Sequence, residues 1–152
     1  MDIAVLDGDR AVHIAEVRGP AAISSLGWLG RGIPLHATAG GKVLLAHAPE
    51  GVQEAVLSSE LERFTAATAN DPGVLEKEIG RILDRGWGST AGEYEVGLNG
   101  VAAPVRGADG RVVAAISVSG PSFRMATEVF HAFAERTIVG ADELSRRLRV
   151  PG

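Results

Sequence analysis

Gly86 to Gly120 reads GWGSTAGEYEVGLNGVAAPVRGADGRVVAAISVSG. Glycines at 86 and 88 open the run, Gly107-Ala108-Asp109-Gly110 forms a hairpin turn between apolar stretches, and Arg111 to Ser119 alternates between two faces. That pattern is a β-meander. The two-residue period of a strand places Ala115, Ser117 and Ser119 on one face and Ala114, Ile116 and Val118 on the other. Two hydroxyls therefore point the same way.

Upstream, Pro34 to Ala46 reads PLHATAGGKVLLA. The proline fixes the entry to a run of small residues that turns into the apolar Val43-Leu44-Leu45-Ala46, which describes a loop feeding the first turn of a helix. The N–H groups of a first turn have no intrahelical partners and sit at the positive end of the macrodipole, so an anion is favoured there, and small side chains leave that backbone reachable. The same small residues also suit a tight entry at which helix lies close on sheet. A phosphate-binding Walker loop is excluded, because it needs Gly at 36 and Ser or Thr at 43, where this chain has His36 and Val43.

The remaining elements follow from local signals. Asp2 to Leu6 and Ala11 to Val17 flank Asp7-Gly8-Asp9-Arg10 as two strands of a hairpin. Ile23 to Leu29 is a candidate third strand. Glu50 to Leu57 reads as a short helix with Pro49 at its first position, and Asp71-Pro72-Gly73 as a break. Leu75, Ile79, Ile82 and Leu83 recur at helical spacing between Val74 and Arg85, with Gly86 as the stop. Thr127 to Leu148 carries Phe130, Phe133, Ala134, Thr137, Ala141, Leu144 and Leu148 along one stripe. This should be a long amphipathic helix packed on the sheet or on a partner. Arg146, Arg147 and Arg149 near its end complement the dipole and read as a solvated helix terminus.

Composition narrows the function classes. A chain of 152 residues is the size of one domain and buries roughly 70% of its unfolded surface. A net charge of −4 and a pI near 5.5 give no basic footprint for a nucleic-acid backbone. The chain has no cysteine, which excludes disulfides, thiolate metal sites and cysteine nucleophiles, and agrees with a reducing cytoplasm. Apolar runs fall short of the ~20 residues of a membrane span, so no membrane partner is expected. Aromatic residues make up only 5% and glycine numbers 20, so the core must rest on Ala, Val, Leu and Ile.

P-L-H-A-T-A-x-G-K-x-L-L-A, followed by G-[YW], a glutamate before G-L, A-A-P-V, a D-G turn and A-[IL]-S-V-S-G-P-x-x-R, resembles the C-terminal effector-binding domain of IclR-type bacterial transcriptional regulators. The likeness runs from the opening strands to the last helix. It implies an α+β, GAF-like or profilin-like fold: a central antiparallel β-sheet flanked by helices, with a long C-terminal helix. It further implies one effector-binding domain over residues 1–152, a small metabolite as ligand, and oligomerisation as dimer or tetramer. In that family a winged helix-turn-helix precedes this domain. DNA is thus expected to be a partner only through a domain outside this chain. An opening strand without a lead-in fits a cut at a domain boundary, with an isolated natural domain as the alternative.

Residue by residue, the resemblance implies that Ser117 and Ser119 are pocket-floor hydroxyls and that the amides of Ala39 and Gly40 take another ligand oxygen. Such a neutral donor set recognises a small organic or aromatic acid. From the residues alone, Ser117 and Ser119 read rather as strand hydroxyls bonded to neighbouring backbone. Thr90 and Gly100 align with further pocket positions. Some relatives carry acidic or thiol groups there and this chain has neither, so its pocket is expected to be wider or to suit a different acid. Ala22 and Ser25 align with a wall from the third strand.

His36 reads as a structural histidine orienting a loop. His13, His47 and His131 lie on separate elements without metal-ligand spacing, so neither metal nor cofactor is expected. Glu93 and Glu95, two apart, could share a strand face; the other reading has Glu93 satisfying loop donors and Glu95 solvated. No nucleophile elbow appears, and an enzyme on a GAF-like scaffold such as a sulfoxide reductase would need redox cysteines. A catalytic role is not expected. The alternative to a regulator is a stand-alone GAF-like small-molecule-binding or protein-interaction domain.

Overall fold

In the computed structural model, residues 1–16, 30 and 32–149 are described. The expected strand at 23–29 and the candidate wall residues Ala22 and Ser25 lie outside them.

Six strands form one antiparallel sheet in the order β3-β2-β1-β6-β5-β4. They are β1 (Asp2–Asp7), β2 (Arg10–Glu16), β3 (Gly32–Pro34), β4 (Gly88–Ala91), β5 (Leu98–Arg106) and β6 (Val112–Pro121). The hairpin expected from 2–6 and 11–17 is present over the described residues 2–16, with Gly8 at φ +62 in its turn. So is the meander, which runs as β4-β5-β6. Strand β1 joins the two halves by pairing with β2 on one side and β6 on the other.

The helices divide between the two faces. Helices α1 (Ala39–Ala46), α2 (Glu50–Ser58) and α3 (Pro72–Arg85) lie on one side, where Val43, Leu45, Leu75, Ile79 and Ile82 pack over Ala4, Ala11, Ala102 and Ala115. Helix α4 (Phe130–Arg149), preceded by a single 3-10 turn at Thr127–Val129, covers the other face through Ala141, Ala103, Val105, Ala114 and Ile116. The alternation read from β6 is therefore correct: Ala115 belongs to the α1 side, and Ala114 and Ile116 to the α4 side.

Local signals set most helix ends. Asp71 Oδ1 accepts the Gly73 N–H at 2.8 Å and Pro72 takes the first position, so the expected break is a helix start. Gly86 ends α3 at φ +85. Pro49 caps α2 with its carbonyl instead of occupying the first position. The stripe on α4 also differs from expectation, because Leu148 is 47% exposed and Ser145 is buried in its place. Ser145 Oγ accepts the Arg106 N–H at 2.9 Å and donates to the Ala141 carbonyl at 2.7 Å. A polar residue thus continues an apolar stripe where α4 crosses the end of β5.

All eight residues of α1 are buried. A helix so enclosed fits only if its contacts are small, and Gly41 shows why: a Cβ there would lie 2.6 Å from Thr38 Oγ1 and 3.0 Å from Leu35 Cα and the Pro34 carbonyl. At Gly40 the nearest atom would be Ser117 Oγ at 3.9 Å, ordinary contact. Gly41→Ala is therefore expected to cost about 1–3 kcal/mol by overpacking, whereas Gly40→Ala should be neutral or slightly stabilising through helix propensity. Urea denaturation of the two variants checks the contrast.

Candidate functional site

Helix α1 begins where the sheet face below it changes from alanine to hydroxyl and glycine. Thr38 caps the helix, its Oγ1 accepting the Gly41 N–H at 3.1 Å. The amides of Ala39 and Gly40 remain as the first-turn donors that this cap does not take. Beneath them the strand registers align two rows: Thr90, Gly100 and Ser119 across β4, β5 and β6, and Gly88, Ala102, Ser117 and Asp2 across β4, β5, β6 and β1. A Cβ on Gly100 would approach Ser119 Oγ at 3.3 Å and Thr90 Oγ1 at 3.5 Å. Six of the eight sequence-selected residues thus come together on one face: Ala39, Gly40, Thr90, Gly100, Ser117 and Ser119. Ser117 and Thr90 are buried, while Ser119 is exposed at the end of its row.

Sequence reasoning missed the acidic end of the second row. Asp2 stands directly across from Ser117, and Glu16 across from Asp2. His13, opposite Ala4, shares this face. Burial pushes the Asp2 carboxyl up against the opposing pull of the chain's amino group and His13, and burial pushes His13 down. The only available signal was the pairing of β1 with β6, which no local pattern announces.

A second group of polar side chains holds the site in place. Lys42, 1% exposed, sends its Nζ to Glu93 Oε1 at 2.5 Å and Glu78 Oε2 at 2.6 Å, with the Ser89 carbonyl at 3.4 Å. Glu93 Oε2 accepts the Ala91 N–H at 3.0 Å. Burial raises the Glu93 pKa, while the ammonium and that amide draw it down. Neither glutamate of the β4–β5 loop lies on a strand: Glu93 accepts the N–H of Ala91 at the end of β4 and Glu95 is exposed, so the shared strand face is not formed.

The segment at 59–70 fastens the same loop from outside. Thr65 Oγ1 donates to the Gly92 carbonyl and Thr68 Oγ1 to the Glu93 carbonyl, each at 2.6 Å. His36 Nε2 sits 2.8 Å from the Glu62 carbonyl, and its ring leans on Phe64, which meets Tyr94 edge to face. His36 is structural, as the sequence implied. Among the described residues no group of three metal-ligating side chains occurs and no helix is long and apolar enough to cross a membrane.

An antiparallel sheet with α1 laid over a hydroxyl-bearing face and a long helix behind it is a GAF-like α+β domain. The chain belongs to the family described as bacterial transcriptional regulator IclR C-terminal, whose model matches residues 1–146. It is 34% identical over 145 residues to the HTH-type transcriptional regulator BhcR of Paracoccus denitrificans, covering 95% of this chain and 52% of that protein. It is 33% identical to the HTH-type transcriptional repressor AllR of Escherichia coli K12, covering 97% and 55%. The crystal structure of an IclR homologue from Microbacterium hydrocarbonoxydans complexed with 4-hydroxybenzoate superposes with a TM-score of 0.88 at 29% identity, covering 97% of this chain and 60% of that one. The chain spans about half the length of the curated relatives it matches.

Removing Lys42 would leave Glu93 buried without its cation. Lys42→Met is expected to destabilise by about 3–5 kcal/mol, and adding Glu93→Gln should recover part of that loss. Urea unfolding of the single and double variants measures both.

Proposed function

We propose that this chain senses a small organic or aromatic acid and transmits its presence to DNA-binding domains of an IclR-type transcriptional regulator. The observation that carries the reading is the convergence of the α1 first turn with Thr90, Gly100, Ser117 and Ser119 on one face. Directed donors of this kind offset the desolvation of a carboxylate. The relative that holds 4-hydroxybenzoate has the same fold, which supports an acid as the effector class. Dimerisation or tetramerisation through this domain, and a cytoplasmic setting, belong to the same proposal.

The ligand acts by binding one quaternary arrangement more tightly than another, a coupling worth ~1–3 kcal/mol in typical regulators. Helix α1 is suited to pass on such a preference. Its first turn meets the effector, and one turn later Lys42 grips α3 and the β4–β5 loop.

A thermal-shift screen with 2-oxo acids, hydroxy acids and aromatic carboxylates, with neutral amides as controls, tests the reading. An acid at 100 times its Kd should stabilise by about 2.7 kcal/mol, several degrees for a domain of this size. Ser117→Ala with Ser119→Ala should weaken that acid's binding; unchanged affinity would remove both serines from the site.

Asp2 gives the site a pH dependence of defined sign. Its carboxyl is already raised by burial, and a carboxylate bound beside Ser117 raises it further. Binding therefore takes up a proton, and affinity falls as pH rises through the Asp2 titration. Asp2→Asn should strengthen acid binding at neutral pH by about 1 kcal/mol or more and flatten the pH profile, while a neutral ligand shows neither change in calorimetric titrations.

A further inference from the structure

A groove of about 470 Å³ lies between the end of α3, the last third of β5 and the C-terminal half of α4. It shares no residue with the candidate effector site. Arg85, Arg106, Arg146 and Arg149 line it, with Asp142 as the only acidic residue in the lining, over an apolar floor that includes Ala103. This concentration of cations runs against a chain whose net charge is −4. Arginines at the ends of α3 and α4 complement the helix dipoles, but Arg106 comes from a strand, so dipoles do not account for the set.

Two of the four guanidiniums are held in place by neutral partners. Arg85 lies 3.5 Å over the Trp87 ring and donates its Nε to the Trp87 carbonyl at 2.9 Å. Arg106 donates to the Gly110 carbonyl at 3.0 Å. Arg146 pairs with the Glu143 carboxylate. Burial and the neighbouring Arg81 disfavour the charged form of Arg85, and the Glu78 carboxylate partly offsets them.

From this geometry we propose that the groove binds a small polyanion, a metabolite bearing a di- or polyphosphate group. One guanidinium satisfies a single carboxylate bidentately, whereas four, beyond their bonds to Glu143, Trp87 and Gly110, offer more donors than one carboxylate can accept, which suits a multiply charged oxyanion. The volume falls within the range of small-molecule sites, ~300–1,000 Å³, and the apolar floor suits the uncharged part of such a ligand.

Calorimetric titration of the 152-residue chain with sodium pyrophosphate at fixed ionic strength tests the proposal. Saturable binding is expected, weakened about tenfold in the double variant Arg106→Gln with Arg149→Gln. Arg147→Gln should bind like the parent, because Arg147 lies outside the lining and pairs with Glu143. Acetate should give no saturable heat. In an amide NMR titration, shifts should gather at Gly86, Arg106 and Ala141, which also keeps the test valid if a variant is unstable. Non-saturable binding, equal loss in Arg147→Gln, equal affinity for acetate, or shifts centred on Ser117 would each overturn the proposal.

Discussion

The buried ammonium of Lys42 is the constraint on which the rest of the site depends. Helix α1 has no solvent-facing residue, so a lysine within it must find its counter-charge inside the protein. It does so in Glu93 and Glu78, and their positions then follow: α3 must present Glu78 inward, and the loop after β4 must fold back until Glu93 reaches the helix. A buried pair of this kind adds little net stability over an apolar substitute, but it penalises every arrangement in which one partner is missing. The consequence is specificity of placement. The first turn of α1, Thr90 and the β4–β5 loop are held in one relation, tightened by Thr65, Thr68 and the His36–Phe64–Tyr94 rings.

Smallness serves two ends in this fold, and adjacent glycines separate them. Ala4, Ala11, Ala102 and Ala115 let α1 lie on the sheet, and Gly41 is needed for close approach to the backbone of the entry loop. Gly40, one residue earlier, faces Ser117 with room for a methyl group. The tight-entry reading of the small-residue run is thus borne out at Gly41, while the role proposed for the first-turn amides rests on Ala39 and Gly40. Packing is tightest at Gly41 and eases at Gly40, although both are buried.

What was legible in the sequence was local. The hairpin at Asp7 to Arg10, the alternation along β6, the Gly86 stop and the helix entry after Pro34 all depend on neighbours within a few residues, where propensity and periodicity act directly. The six-residue cluster was legible only through family resemblance, since no spacing rule brings Thr90 beside Gly100 and Ser119. What stayed hidden depended on distant partners. Lys42 and Glu93 are 51 residues apart, and Asp2 reaches Ser117 only because β1 inserts beside β6. Strand β3 has three residues, too few to show a period. Leu148 was placed on the buried stripe of α4 by periodicity, yet Ser145 takes that position because the end of β5 presents an N–H that needs an acceptor.

That hydrogen bond has a consequence for how the domain behaves in a crowded solution. Strand β4 pairs with β5 only as far as Ala102, so the following residues form an open sheet margin of the sort that recruits strands from other chains. The bulge opposite Arg106 lies on β6, so β5 keeps its period and aims the backbone nitrogens of Pro104 and Arg106 in the same direction. Proline has no hydrogen to offer, and that of Arg106 is already given to Ser145. An incoming strand would find acceptors there without donors and could not extend the ladder. The margin is thereby protected from runaway strand addition by one missing hydrogen and one serine.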